Sequence, residues 1–210
     1  MKQFLEKMWN NSMSLNKKNI LRCLDKNAEA KLLDLGCDSG EWTLSLAEKI
    51  STRRIYGIEI VETAVVQSLE KGIECKKTDL NAELPFDSDF FDIVHANQVI
   101  EHIADIDHFM REIYRVLTPG GYAVISTENG SSWCNIAAAV LGWQIFSLTN
   151  LSAKRCGIGN PLAIHRDKND LTSSWTHKTI LNYLGLKELF QVYGFKNISI
   201  HGAGYFPLSA

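Results

Sequence analysis

The sequence predicts an α/β domain: a doubly wound, mostly parallel sheet with helices on both faces and an insertion, or lid, after the fifth strand. Two observations predict it. Short β-rich runs alternate with segments of helical spacing from residue 31 to residue 127, the pattern that parallel strands joined by helical crossovers produce. Successive runs also end at or near an acid or an amide, namely Asp34, Glu59, Asp79 and Asn97. The right-handed crossover rule gathers those ends along one edge of the sheet, so a ligand there takes its contacts from four loops.

Residues 1–27 read as one or two covering helices, with Phe4, Leu5, Met8, Leu15, Ile20, Leu21 and Leu24 in amphipathic spacing. Lys31-Leu32-Leu33-Asp34-Leu35 is a buried strand that breaks into a glycine loop, Gly36-Cys37-Asp38-Ser39-Gly40. Ser39 stands where an N-cap belongs, and the following helix, 41–50, is expected to turn Leu44, Ala47 and Ile50 inward. A second strand follows over 54–60 and a helix over 62–71, closed by Gly72. Residues 73–79 and 90–96 are the third and fourth strands. The spacing of Ile106, Phe109, Met110, Ile113, Val116 and Leu117 predicts a helix over 103–117, which Thr118-Pro119-Gly120-Gly121 stops before a fifth strand at 122–127.

Residues 128–176 break the alternation and read as the insertion over the ligand. They hold an apolar stretch at 133–151, a glycine-containing loop at 157–161 and a polar run with His165, Arg166, Asp167 and Asp170. A helix over 178–193, a sixth strand over 195–200 and a terminal loop complete the chain. Trp133, Trp143 and Trp175 are expected in the core, His95 is expected to pack inside its strand, and His165 and His177 are expected at the surface unless the insertion folds inward.

The 210 residues suit a single domain spanning 1–210. A formal charge of -2 gives no general attraction to nucleic acid or anionic lipid. Five cysteines without a C-x-x-C pair argue against a disulfide framework or structural zinc and for small buried thiols in a reducing compartment. Charges at Lys2, Glu6 and Lys7 interrupt any apolar export signal, and Asn135, Gly142, Gln144 and Ser147 interrupt the 133–151 stretch, so a cytoplasmic location without a transmembrane segment is expected.

A strand, a glycine loop and the open end of a helix present backbone N–H groups to a ligand. A dinucleotide wants G-x-G-x-x-G, but here Gly36 is followed at those positions by Asp38 and Glu41, and carboxylates beside a pyrophosphate repel it. A phosphate-free adenosyl ligand suits the residues better. Glu59 is placed to accept from a ribose diol, and Asp79 from an adenine amino group whose ring Ile60 and Leu80 flank. Asp34, the loop residues Gly36, Cys37 and Gly40, and Asn97 with Gln98 are placed to face an amino acid tail, where an acid beside an ammonium or a sulfonium is favourable.

Leu33-Asp34-Leu35-Gly36-Cys37-Asp38-Ser39-Gly40, Glu59, Asp79-Leu80, Phe91-Asp92-Ile93-Val94 and Arg115-Val116-Leu117-Thr118-Pro119-Gly120-Gly121 together resemble the class I S-adenosylmethionine-dependent methyltransferases of the broad type 11 group. The resemblance runs from about residue 30 to 127. It implies a Rossmann-like fold, S-adenosyl-L-methionine as cofactor, and transfer of a methyl group to an O, N or C atom of a small-molecule or lipid-like acceptor. It is specific for cofactor and silent on acceptor. Asp38 stands where the family usually has glycine, which requires it to adopt positive φ. The family's sheet usually ends in an antiparallel strand after the sixth; three readings are open here, that the chain stops before it, that the strand is absent, or that the strands count differently.

Methyl transfer needs a general base only if the acceptor loses a proton during attack. Candidates are His95, Gln98, Glu101 and His102. Of these, Glu101 and His102 resemble the Glu-His pair of ubiquinone-type O-methyltransferases and are taken as catalytic. Gln98 stands where some of those enzymes carry a Glu that binds a divalent ion, so no metal site is expected. A non-catalytic module keeping the cofactor fold and a dinucleotide-dependent oxidoreductase are the alternatives.

Overall fold

Five parallel strands form the sheet of the described residues, in the order β3-β2-β1-β4-β5. The computed structural model describes residues 2–166, 168 and 173–203; Asp167 and Asp170 lie outside them. The strands are β1 (Lys31–Leu35), β2 (Arg54–Glu59), β3 (Glu74–Lys77), β4 (Phe91–Asn97) and β5 (Leu117–Ser126), and the helices are α1 (Lys2–Arg22), α2 (Glu41–Ile50), α3 (Glu62–Glu70), α4 (Ile106–Val116), α5 (Trp133–Val140) and α6 (Tyr183–Val192). The chain builds outward from β1 in one direction, then returns to place β4 on its other side. This reversal puts a crevice at the C-terminal ends of β1 and β4.

β1 is the centre because it buries leucines on both faces. Leu33 and Leu35 join Val94, Phe109, Met110 and Ile113 in one core cluster, while Leu32 joins Leu46, Ala47, Ile50 and Ile20 in another. α2 buries Thr43, Leu46, Ala47 and Ile50, the i, i+3, i+4, i+7 stripe. Leu44 is therefore exposed, against expectation. Ser39 does not cap this helix: Gly40, at φ 81°, occupies the cap position, and the Ser39 carbonyl accepts from Lys71 Nζ at 2.6 Å.

α4 starts later than its sequence pattern suggests, because Asp105 caps it by accepting from His108 N–H at 2.8 Å. Residues Ile100–His102 instead form a short 3-10 turn. On the inner side of α4, Glu112 Oε2 accepts from Leu84 N–H and from Arg115 Nη2, both at 2.7 Å, and Oε1 accepts from Arg115 Nε at 2.7 Å. Arg115 also donates to the carbonyls of Phe86 at 2.8 Å and Leu84 at 3.0 Å. The pair clamps the loop before β4 onto the helix.

The hydrogen bonds from Arg115 hold the Glu112 carboxyl below the usual range. A carboxylate with a depressed folded pKa contributes stability that is present above its unfolded pKa of about 4.3 and is lost as pH falls through the folded value. Glu112→Gln is expected to cost about 2 kcal/mol at pH 7, the scale of a charge-assisted hydrogen bond. The cost should shrink at pH 3, which urea unfolding at the two pH values measures.

The C-terminal part departs from expectation. No strand forms over 195–200: Phe195 packs its ring on Phe190 and Tyr114, at centroid separations of 5.0 and 5.4 Å, and its N–H donates to the Phe190 carbonyl. The apolar alternation there serves helix capping rather than sheet pairing. α6 begins only at Tyr183, capped by Asn182, which accepts from Gly185 N–H at 2.8 Å. Trp133 and Trp175 are exposed rather than in the core. α5 is held instead through buried Asn135, whose Nδ2 donates to Ser147 Oγ at 2.9 Å and whose Oδ1 accepts from Ser147 N–H at 3.2 Å. Among the described residues no helix is long and apolar enough to cross a membrane.

Candidate functional site

The glycine loop after β1 is fixed from below. Gly36 and Cys37 N–H both donate to the Ile58 carbonyl, and Cys37 Sγ lies 3.5 Å from Cys75 Sγ in a buried cluster with Val65 and Ile73. Asp38 adopts φ 49°, the left-handed conformation that Asp tolerates better than most side chains. At Gly40 φ 81° favours glycine, and a Cβ would stand 2.4 Å from Ile73 Cδ1, so the Ile73 side chain would have to shift. Gly36 is open to solvent on its outer side, and Cys37 and Gly40 are buried.

Glu59 closes the loop from the end of β2. Its Oε2 accepts from Asp38 N–H at 3.0 Å and its Oε1 from Ile60 and Val61 N–H at 2.8 and 2.9 Å. Oε2 retains capacity for a further donor. Beside it Ile60 is 42% exposed. An exposed apolar side chain between two acids suits the face of a ring whose edges carry hydroxyl and amino donors. On neighbouring β3, whose Lys77 pairs with Glu59, the chain runs on to exposed Asp79 and half-buried Leu80; Asp79 Oδ1 accepts from Asn81 N–H and Nδ2 at 2.9 and 2.8 Å.

Asp34 lies elsewhere than its sequence suggests. It is 2% exposed, and both carboxylate oxygens are engaged: Oδ2 accepts from the Thr43 hydroxyl at 2.6 Å and Oδ1 from His95 Nδ1 at 2.7 Å. Trp42 Nε1 lies 3.5 Å from His95 Nε2. Asp34 therefore ties β1, β4 and α2 together under the glycine loop rather than facing solvent, and His95 packs inside as expected.

At the end of β4, Asn97 Oδ1 accepts from Ser126 Oγ at 2.6 Å and from Asn16 Nδ2 at 2.8 Å. Asn16 comes from α1, which thereby covers this end of the crevice; nothing in its sequence neighbourhood distinguishes it from the other polar residues of that helix. Gln98 adopts φ 57°, an uncommon conformation for a non-glycine residue, and its N–H donates to the Ser126 carbonyl.

The next turn carries Glu101 and His102. Glu101 is 1% exposed, its Oε2 accepts from the Thr127 hydroxyl at 2.9 Å, and burial pushes its carboxyl up to about 7. Burial, with His177 adding to it, brings His102 down to about 4. His177 is not a surface residue: its ring meets His102 edge-on at 4.7 Å. Lys178 and Thr179 N–H donate to the Glu101 carbonyl, which draws the end of the insertion inward. The position of His177 depends on that fold-back, which no local sequence pattern encodes. A separate open depression, lined by Tyr56, Lys76, Pro85, Phe86 and Phe90 among others, lies by the strands' N-terminal ends, away from these residues.

Comparison with known proteins places this geometry. A family model described as a methyltransferase domain matches residues 8–200. The demethylmenaquinone methyltransferase of Lactobacillus johnsonii is 29% identical over 207 residues, covering 91% of this chain and 80% of that protein. That of Bacillus cereus is 30% identical over 115 residues, covering 51% of this chain and 48% of that protein, so this alignment spans about half the length of the relative. Among solved structures, the YcgJ protein of Bacillus subtilis has a TM-score of 0.61 at 17% identity over 85% of this chain and 67% of that one. An S-adenosylmethionine-dependent methyltransferase of Mesorhizobium loti has a TM-score of 0.57 at 19% identity over 85% of this chain and 80% of that one. These two likenesses establish the fold.

Proposed function

The chain belongs to the methyltransferase-domain family, the class I S-adenosylmethionine-dependent enzymes, and we propose that it methylates a small lipid-like acceptor of the quinol type. The observation that carries the reading is the crevice between β1 and β4, where a glycine loop carrying Asp38, the acids Glu59 and Asp79 and the exposed apolar Ile60 line one edge of the sheet. The acceptor class rests on the demethylmenaquinone methyltransferases to which the chain is similar. The exposed apolar residues of the insertion, Trp133, Ile136 and Leu151, support it.

S-adenosylmethionine supplies a methyl group already activated on a sulfonium, so the protein's part is to hold donor and acceptor in line. In this reading Glu59 takes a ribose hydroxyl, Asp79 the adenine amino group between Ile60 and Leu80, and the Gly36–Cys37 backbone the amino acid tail. Gly40 keeps the loop tight, while Asn97 and Gln98 shape the wall next to the methyl group. Asp34 acts from below as a positioning residue. Glu101 and His102 handle the acceptor: a carboxyl near neutrality can accept a hydroxyl proton, and the neutral imidazole beside it can accept a hydrogen bond. α1, through Asn16, and the described residues of the 128–176 segment close the crevice over the acceptor.

Incubation with methyl-labelled S-adenosylmethionine and a demethylated naphthoquinol bearing an isoprenoid tail tests the reading. Label is expected in the organic-soluble product together with S-adenosylhomocysteine. Transfer only to water-soluble amines or phenols would overturn the acceptor class.

A further inference from the structure

Sequence alone discounts a metal at this site because Gln98 offers no carboxylate, but the fold brings in a donor from a distant segment. One donor atom from each of Glu101, His102 and His177 lies within 4.8 Å of the others. The two imidazoles are held by the same device. His102 Nδ1 lies 3.2 Å from the Thr176 carbonyl oxygen, and His177 Nδ1 lies 2.6 Å from the Ser147 carbonyl oxygen. A carbonyl can only accept, so each ring carries its proton on Nδ1 and keeps its lone pair on Nε2. That arrangement orients and polarises a metal-binding imidazole. Glu101 is anchored on one oxygen by Thr127, and the ammonium of neighbouring Lys178 is directed to the His102 carbonyl at 2.8 Å, not to the carboxylate.

We infer that Glu101, His102 and His177 form a binding site for a divalent first-row transition ion such as Mn²⁺, Fe²⁺, Co²⁺ or Zn²⁺. Two imidazoles and one carboxylate suit these ions, whereas Mg²⁺ and Ca²⁺ favour all-oxygen sets. Such ions hold N and O ligands at about 2.0–2.2 Å, so small rotamer adjustments close the three donors onto one centre. One carboxylate neutralises half of the ion's charge. The remaining coordination positions are free for water or for an oxygen of the acceptor, and a hydroxyl bound there loses its proton to solvent more readily, so with the ion bound Glu101 serves as its ligand and not as the proton acceptor. What the ion does rests on the methyltransferase reading; whether it binds does not.

The test is a titration of the chelator-treated full chain with Co²⁺ alone, followed by visible absorption, with S-adenosylmethionine binding measured separately by calorimetry. One equivalent of Co²⁺ is expected to bind. His177→Ala should weaken it by on the order of 100-fold, the upper end of what even outer ligand partners contribute. The near-isosteric Glu101→Gln should weaken it as well, and exposed His201→Ala should not. Retained S-adenosylmethionine binding in His177→Ala establishes that the variant folds; if it does not fold, His177→Gln carries the same comparison. No Co²⁺ binding by the unmodified chain, or binding unchanged in both Glu101→Gln and the His177 variants, would overturn the site. Co²⁺ binding without S-adenosylmethionine binding would leave the site standing and remove the methyl-transfer reading.

Discussion

Glu59→Ala is expected to weaken S-adenosylmethionine binding by on the order of 100-fold, measured by isothermal titration calorimetry. With three of its acceptor positions taken by backbone N–H groups, the carboxylate has room on Oε2 for one ribose hydroxyl, a charge-assisted hydrogen bond contributing about 1.5–3 kcal/mol when its partner is otherwise left unpaired. The same carboxylate also accepts from the N–H groups of Asp38, Ile60 and Val61, so the variant loosens the glycine loop as well as losing the proposed ribose contact. Glu59→Gln separates the two roles. Its amide oxygen can hold the Ile60 and Val61 N–H groups, but its NH₂ cannot accept from Asp38 or the ribose hydroxyl. An intermediate loss of binding with near-normal thermal stability is therefore expected. Undiminished binding in both variants would remove Glu59 from the cofactor site.

Asp34→Ala is expected to lower global stability by about 3 kcal/mol or more. Removing one partner of a buried hydrogen-bonded pair leaves the other unsatisfied, and here it strands two partners, the Thr43 hydroxyl and His95 Nδ1. For a chain of this size that corresponds to a fall of about 10 °C in melting temperature. Asp34→Asn keeps one acceptor and should cost less. A differential-scanning or urea-unfolding series of wild type, Asp34→Asn and Asp34→Ala checks the order. If Asp34 faced the ligand instead of the core, Asp34→Ala would change affinity at nearly constant stability.

The fold of the first 127 residues was legible because its signals are local and periodic. Apolar runs such as Leu32–Leu35 and Ile93–Val94 can be satisfied only by burial on both faces. Gly72, at φ 81°, sits just past α3 where a helix-ending glycine belongs, and Asp38 takes the positive φ that its place in the loop requires. The later part was less legible because its decisive contacts are non-local. The alternation in 195–200 fits a strand as well as it fits aromatic packing on α6 and Tyr114. Likewise the tryptophans of the insertion carry no local sign of which face will be covered.

The sequence by itself determined the parallel sheet, the glycine loop and the line of acids at the strand ends, because strand burial, turn chemistry and crossover handedness follow from residues close together in the chain. Only the tertiary structure decided that Asp34 points into the core, that Asn16 of the first helix reaches Asn97, and that His177 meets His102 across 75 residues of sequence. Each of these depends on which side chain a packed neighbour leaves room for. Periodicity can tell which face of an element is apolar. It cannot tell which polar group from a distant segment will complete the site.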